Sequence, residues 1–249
     1  MRTDDQYSGA TNSAGLAEAY RFGAASPAAP AMLAQTSVAV SSLRSFRYVV
    51  LKRVMDIFGC LALTPFLLPL CGILVLLIKF SSPGPAFFSH RRISKDGGFF
   101  SMWKFRTMCV NSDEVLEKYL ASNPRALEEW TASHKLRHDP RVTRIGQILR
   151  HYSLDELPQF WNVFRGDMSL VGPRPIIAAE VGKYGHCFSC YCSVKSGVTG
   201  LWQVSGRSKV SYAERIALDC RYVREWSLLQ DIKILFKTVS CVVDADGAF

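Results

Sequence analysis

The sequence predicts an α+β chain that is mostly helical, with one long apolar helix, a small β-hairpin and a polar helical body. Three observations predict it. Ile57 to Ile78 runs for 22 residues without a charge, two aromatic-rich segments flank a Gly-Gly turn, and apolar residues recur at helical spacing near the C-terminus. The 249 residues suffice for one sizeable domain with attachments.

In chain order, residues 1–42 are rich in Ala, Ser, Gly and Pro and are expected to form a disordered tail, since they bury too little apolar surface to offset ordering entropy. No signal-peptide pattern opens the chain, because Asp4 and Asp5 follow Arg2 with no apolar stretch after them. Arg2, Arg21 and Arg44 cancel Asp4, Asp5 and Glu18, so the net charge of +9 lies beyond residue 45. That basic body suits anionic lipid head groups, phosphorylated substrates or nucleic acid.

Residues 43–80 read as a membrane-anchoring segment, long enough to cross a bilayer, which takes about 20 apolar residues. Pro65 and Pro69 fall near its centre, where each removes a helical hydrogen bond. Lys52, Arg53 and Lys79 make both flanks basic, so the positive-inside rule sets no orientation. Composition leaves two arrangements open: a kinked single span, or a helix that enters, bends at Thr64-Pro65 and leaves on the same side.

Residues 81–249 form the expected catalytic body. Phe87–Arg92 and Phe99–Arg106, joined by Lys95-Asp96-Gly97-Gly98, read as a β-hairpin, with Lys104 and Arg106 on one face and Trp103 and Phe105 on the other. Two surface helices follow, the first capped by Asn111 with Glu114 and the second starting at Asn123-Pro124. Further helices are expected at Thr143–His151, Tyr212–Trp226 and Ser227–Val243. In the last, Leu228, Leu229, Ile232, Leu235, Phe236 and Val239 read as a core-facing stripe, with an interfacial helix as the alternative.

The chemistry concentrates around Ser153-Leu154-Asp155-Glu156-Leu157-Pro158. Ser153 with Glu156 spells a capping box that puts both acids in the first turn of a helix, where its dipole favours ionised carboxylates. An ionised aspartate is a competent nucleophile toward phosphorus, and a neighbouring Glu suits Mg²⁺, which takes one or two carboxylates plus phosphate oxygens. Pro173-Arg174-Pro175 holds an arginine on a fixed backbone, as a phosphate clamp requires. Arg92, Arg106, Arg144, Arg150 and Arg207 flank the acids, and the glycine-spaced loop Gly197–Arg207 offers Trp202 and Gln203 to a base or sugar. Eight scattered cysteines suit a reducing compartment. His186-Cys187-x-x-Cys190-x-Cys192 reads as packing cysteines, because no second Cys/His pair stands at zinc-site spacing.

The chain resembles the bacterial sugar transferases, the small monotopic polyprenyl-phosphate phosphoglycosyl transferases of the exopolysaccharide-initiating type. The resemblance covers about residues 47–243 and rests on Lys104–Met108, Asp139–Thr143, Ser153–Gln159, Gly166–Pro175 and Gly197–Arg207. It implies that Asp155 attacks the sugar-bearing phosphate of a UDP-sugar, glucose or galactose being the usual donors. UMP leaves, and polyprenyl (undecaprenyl) phosphate then takes the phosphosugar from the aspartyl intermediate. Glu156 would coordinate Mg²⁺, and Arg174, Lys104, Arg92 and Arg106 would hold phosphate oxygens. It also implies a re-entrant helix broken at Thr64 and Pro65, with interfacial amphipathic helices around a cytosolic core, on the cytoplasmic face of the bacterial inner membrane. Ile93-Ser94 and Lys195-Ser196 replace the family's more usual Pro-Gly and Arg-Pro. A catalytically silent, membrane-attached partner of a synthesis complex is the alternative, opposed by the intact Asp155-Glu156 pair. Nucleic acid is not expected as a partner, as no reading module is present. The oligomeric state, a homodimer included, is left open.

Overall fold

The computed structural model describes residues 46–133, 136–206 and 210–243, so the expected tail over 1–42 lies outside the described residues. Helix α1 spans Phe46–Ser81 and runs through both Pro65 and Pro69. The Thr64 hydroxyl donates to the Cys60 carbonyl at 2.7 Å, the back-bond to the preceding turn expected of a Thr-Pro break. By length and composition α1 is the one described helix that could cross a membrane. Phe58, Leu61, Phe66, Leu68 and Phe80 stand exposed along it.

Both ends of α1 pack on the same body. Lys52, Asp56 and Cys60 are buried near its start, and Leu74 and Ile78 near its end. The latter two pack with Ala86, Phe105 and Leu149, each large apolar side chain contributing about 1.5–3 kcal/mol by burial. Strands β1 (Phe87–Ile93) and β2 (Phe99–Phe105) form the antiparallel hairpin, in the register Phe88↔Lys104 and Arg92↔Phe100. Its turn uses positive φ at Asp96 and Gly97, as the Asp-Gly sequence allows.

Helices α2 (Ser112–Ser122) and α3 (Pro124–Ser133) form the polar excursion. Asn123 accepts from Ala126 N–H at 3.2 Å as expected. Asn111 does not cap α2 through its side chain, because its backbone (φ −92°, ψ 41°) departs from the extended conformation that capping needs. Helix α4 (Arg144–His151) starts at Thr143, whose hydroxyl accepts from Gly146 N–H at 2.9 Å. Beyond a single turn at Leu154–Glu156 come α5 (Gln159–Arg165) and β3 (Ser169–Val171), which pairs in parallel with β4 (Gly197–Thr199). The short helices α6 (Val181–Tyr184) and α7 (Phe188–Tyr191) lie between them, and α8 (Tyr212–Arg224) and α9 (Leu228–Val243) close the fold.

Helix α9 overturns the expected stripe. Leu229, Ile232, Phe236 and Val239 are exposed, while Asp231 and Ile234 are the buried positions. The reason is Lys52, whose Nζ lies 2.6 Å from Asp231 Oδ2. Tyr222 OH and Trp226 Nε1 donate to the same carboxylate at 2.8 and 2.9 Å. A buried, fully partnered aspartate turns the helix so that its most apolar face looks outward.

Candidate active site

Strand β2, the Leu154–Glu156 turn and the loop after β3 carry the site. The Asp139-Pro140-Arg141-Val142-Thr143 segment braces the chain just after β2. Arg141 grips Asp139 with Nε and Nη2 at 2.8 and 2.6 Å. Val142 then bridges Met108, and Thr143 N–H donates to Thr107 O at 3.0 Å. Gly146 packs against that same Thr107 carbonyl so closely that a Cβ would overlap it. These contacts fix α4, and with it the turn that follows.

In that turn the expected capping box does not form. Ser153 adopts a left-handed conformation (φ 55°), so its hydroxyl caps nothing, and α5 starts only after Pro158. The two acids therefore sit in a short 3-10 turn, set apart from the α-helical N-terminus. What compensates them is Lys104 of β2, whose Nζ lies 3.3 Å from Asp155 Oδ2 and 2.8 Å from Glu156 Oε1. Burial pushes the Asp155 carboxyl above its ordinary range and the Glu156 charge adds to this, against Lys104 and Arg150, which pull it down. Burial works to lower Lys104, but the charges of Glu156 and Asp155 outweigh it and raise the ammonium. Arg150 donates from Nε to Thr107 Oγ1 at 2.9 Å, and its charge reaches Asp155.

Arg174 follows β3 on a loop anchored at both ends. Gly172 N–H donates to Thr199 O and Gly197 N–H to Pro173 O, both at 2.9 Å. Ile93 N–H donates to Ile176 O at 2.9 Å, and Ile176 N–H to the Tyr191 hydroxyl at 3.2 Å. Gly200 comes so near Gly172 that a Cβ there would meet its carbonyl oxygen, which explains the glycine spacing of the loop. The Arg174 side chain is exposed and lies over the Trp202 ring, 4.9 Å from its centroid, with its charge felt at both Lys104 and Arg92.

The structure thus brings together Asp155, Glu156, Lys104 and Arg150, with the Arg174 charge reaching Lys104 and the more distant Arg92. Arg106 lies apart: its guanidinium is spent on the carbonyls of Pro83 and Ser82, where it ties β2 to the end of α1. Arg144 is exposed on α4, and Arg207 falls outside the described residues. Among the described residues no group of three His, Cys, Asp or Glu side chains could hold a metal, and Cys190 and Cys220 are core residues.

Sequence reasoning missed Asn162, Glu180, Arg215 and Asp219. Buried Asn162 stitches α5 to β2, accepting from Trp103 N–H at 3.0 Å and donating to Ser101 O at 2.8 Å. Asp219 accepts from Tyr184 OH at 2.8 Å; burial pushes its carboxyl up to about 6, against Tyr184 and the charges of Arg215 and Arg174. Arg215 lies over the same Trp202 ring, 5.3 Å from its centroid. A local signal existed for the start of α8, since Ser211 and Glu214 form a true capping box.

Two adjacent acids bridged by one ammonium, with the Arg150 charge reaching Asp155, stand in a turn packed against the apolar helix α1. The chain belongs to the bacterial sugar transferase family, whose model matches residues 47–245, and it is an enzyme of that class. It is 50% identical over 199 residues to the UDP-galactose-lipid carrier transferase of Erwinia amylovora, covering 80% of this chain and 42% of that one. The exopolysaccharide production protein ExoY of Sinorhizobium fredii is 48% identical over 193 residues, 78% of this chain and 84% of that protein. A UDP-glucose:undecaprenyl-phosphate glucose-1-phosphate transferase of Caulobacter vibrioides is 40% identical over 206 residues, 80% and 72% of the two chains. The chain thus spans less than half of the first relative and most of the other two.

Proposed function

We propose that this enzyme transfers a sugar 1-phosphate from a UDP-sugar to undecaprenyl phosphate, the first membrane step of exopolysaccharide synthesis. The observation that carries this reading is the single Lys104 ammonium within 3.3 Å of both Asp155 and Glu156, with the charges of Arg150 and Arg174 reaching Asp155 and Lys104. An Asp155 oxygen attacks the sugar-bearing phosphorus; the new P–O bond to Asp155 forms as the bond to UMP breaks. A polyprenyl phosphate oxygen then attacks the same phosphorus and releases the carboxylate. Lys104 and Arg174 hold the phosphate oxygens whose charge grows in each step.

Mg²⁺ fits the donor set, because two adjacent carboxylates now bridged by one cation, with substrate oxygens completing the shell, are what this ion takes. Glu156, with Asp155, would hold it. When bound, the ion would screen the phosphate charge against the approaching carboxylate.

The fold supports a re-entrant anchor on the cytoplasmic face of the inner membrane. Lys52, Asp56 and Cys60 near one end of α1, and Leu74 and Ile78 near the other, are buried against the same body, while the stretch around Thr64-Pro65 is apolar and exposed. A helix whose two ends serve one body does not have to leave it on the far side of a bilayer.

The names of the relatives divide between galactose and glucose. A screen of UMP release from several UDP-sugars, with undecaprenyl phosphate and Mg²⁺ present, tests the reading. UDP-glucose or UDP-galactose should release UMP, and no release from any donor would overturn it.

A further inference from the structure

Beside the acids lies a second cluster, in which Glu180 and Asp219 offset part of the charge but leave several buried donors unpaired among the described residues. Arg215 is 8% exposed, and its Nε and Nη2 have no hydrogen-bond partner among the described residues. The same holds for Arg92 Nε and for the indole Nε1 of Trp202. Arg215 and Arg174 both lie over the Trp202 ring, and both charges act on Arg92. Gathering three guanidinium groups, of which Arg215 is buried and Arg92 half-buried, raises the energy of all three.

The nearby acids supply counter-charge but few hydrogen bonds to these donors. Glu180 accepts from Tyr212 OH at 3.1 Å and from Ile177 N–H at 3.0 Å, leaving only a 3.5 Å contact with Arg215 Nη1. Asp219 accepts from Tyr184 at Oδ2 and its charge acts on Arg215 and Arg174, but no side-chain hydrogen bond joins it to either guanidinium among the described residues. A buried charged donor left unpaired costs more than the roughly 1–3 kcal/mol of a neutral one, so several in one place need a common explanation. A doubly charged oxyanion supplies it, since guanidinium forks match phosphate geometry.

The cluster is also displaced from the acids. Arg92 and Lys104 share a face of the hairpin, but Arg92 pairs with Phe100, four residues along the strand from Lys104. That separates their Cα positions by roughly 13 Å along the strand. Arg174 lies within electrostatic reach of both.

We propose that Arg215, Arg92 and the Trp202 N–H form a second phosphate subsite, which takes a phosphoryl group other than the one Asp155 attacks. The inference rests on the reading above and adds Arg215 and Trp202 to its binding machinery. The ligand chemistry is a phosphate monoester dianion. Two sources carry it: the phosphate of departing UMP and the head group of the incoming polyprenyl phosphate.

The test is equilibrium binding to the full-length protein in nanodiscs, with UMP and farnesyl phosphate as separate probes, for wild type, Arg215→Gln and Arg215→Lys. Arg215→Gln should weaken one probe at least tenfold, which names the source, and Arg215→Lys should recover part of the loss. Unchanged affinity for both probes overturns the subsite, as does a wild type that binds neither. Should Arg215→Gln fail to fold, Trp202→Phe decides. The fluorescence change on saturation with the binding probe should be lost in that variant, and its survival there overturns the proposal. The transferase reading fails differently, in a wild type that releases no UMP from any UDP-sugar.

Discussion

Two clusters of buried charge flank the segment from β3 to Arg174, and they are built on opposite principles. On one side, Lys52 donates to Asp231, Tyr222 OH and Val171 O, at 2.6, 3.2 and 2.8 Å. The carboxylate it meets is satisfied by Tyr222 and Trp226 as well. On the other side, Arg92, Arg215 and Trp202 leave donors unpaired. Both clusters are desolvated, but only the first has its hydrogen bonds complete among the described residues. A closed network holds α1 and α9 to β3, whereas an open one waits for an anion from outside. The Lys104–Asp155–Glu156 turn stands between them, paired at rest but through a cation that the substrate phosphate can draw on. Burial alone does not mark a functional charge; the state of its hydrogen bonds does.

The contrast can be broken by moving each cluster out of its class. Removing Lys52 leaves Asp231 as an uncompensated charge in the core. Lys52→Met should therefore destabilise the fold by about 3–5 kcal/mol, read from denaturant unfolding in detergent. Where that variant is folded, its affinity for UDP-sugar should be close to wild type.

Lys104→Met should act the other way. Stability should fall by less than in Lys52→Met, because Asp155 and Glu156 are 13% and 38% exposed where Asp231 is fully buried, while UMP release should fall by about 10²–10³-fold as the phosphate charge loses its partner. A variant that loses stability and keeps its rate would place Lys104 with the structural charges.

Asp219 gives the smallest and most graded effect. Its carboxyl ionises at about 6 in the fold against 3.8 as the ordinary value. The folded state therefore holds its proton more tightly, so this group favours folding at low pH and costs stability as pH rises from about 4 to 6. Above pH 6 the cost is roughly 3 kcal/mol. Unfolding free energy should rise on acidification from pH 7 to 5, and Asp219→Asn should flatten that slope.

Much of the architecture was legible in local chemistry. Lys95-Asp96-Gly97-Gly98 forces a turn, and Thr143, Asn123 and Ser211 start helices because their side chains meet backbone N–H groups three residues on. Ser153 carried the same signature without the outcome, because the chain reverses there in a left-handed conformation set by how α4 packs on Thr107. The outward apolar face of α9 was illegible for a different reason. Periodicity shows that one face is apolar, but which face packs depends on Lys52, 179 residues away in the chain. Asp155, Glu156, Lys104 and Arg174 could be named from their motifs. Arg215 could not, since its significance comes from Trp202 and Arg92, which only the fold brings to it.

The central claim is that Asp155 carries the phosphosugar. A UDP-sugar labelled at the β-phosphate, incubated with the protein without polyprenyl phosphate and followed by acid quench, tests it directly. Wild type should retain label that undecaprenyl phosphate then discharges into lipid, and Asp155→Asn should retain none and release no UMP. Labelling of Asp155→Asn at the wild-type level, or full turnover by that variant, would contradict the claim.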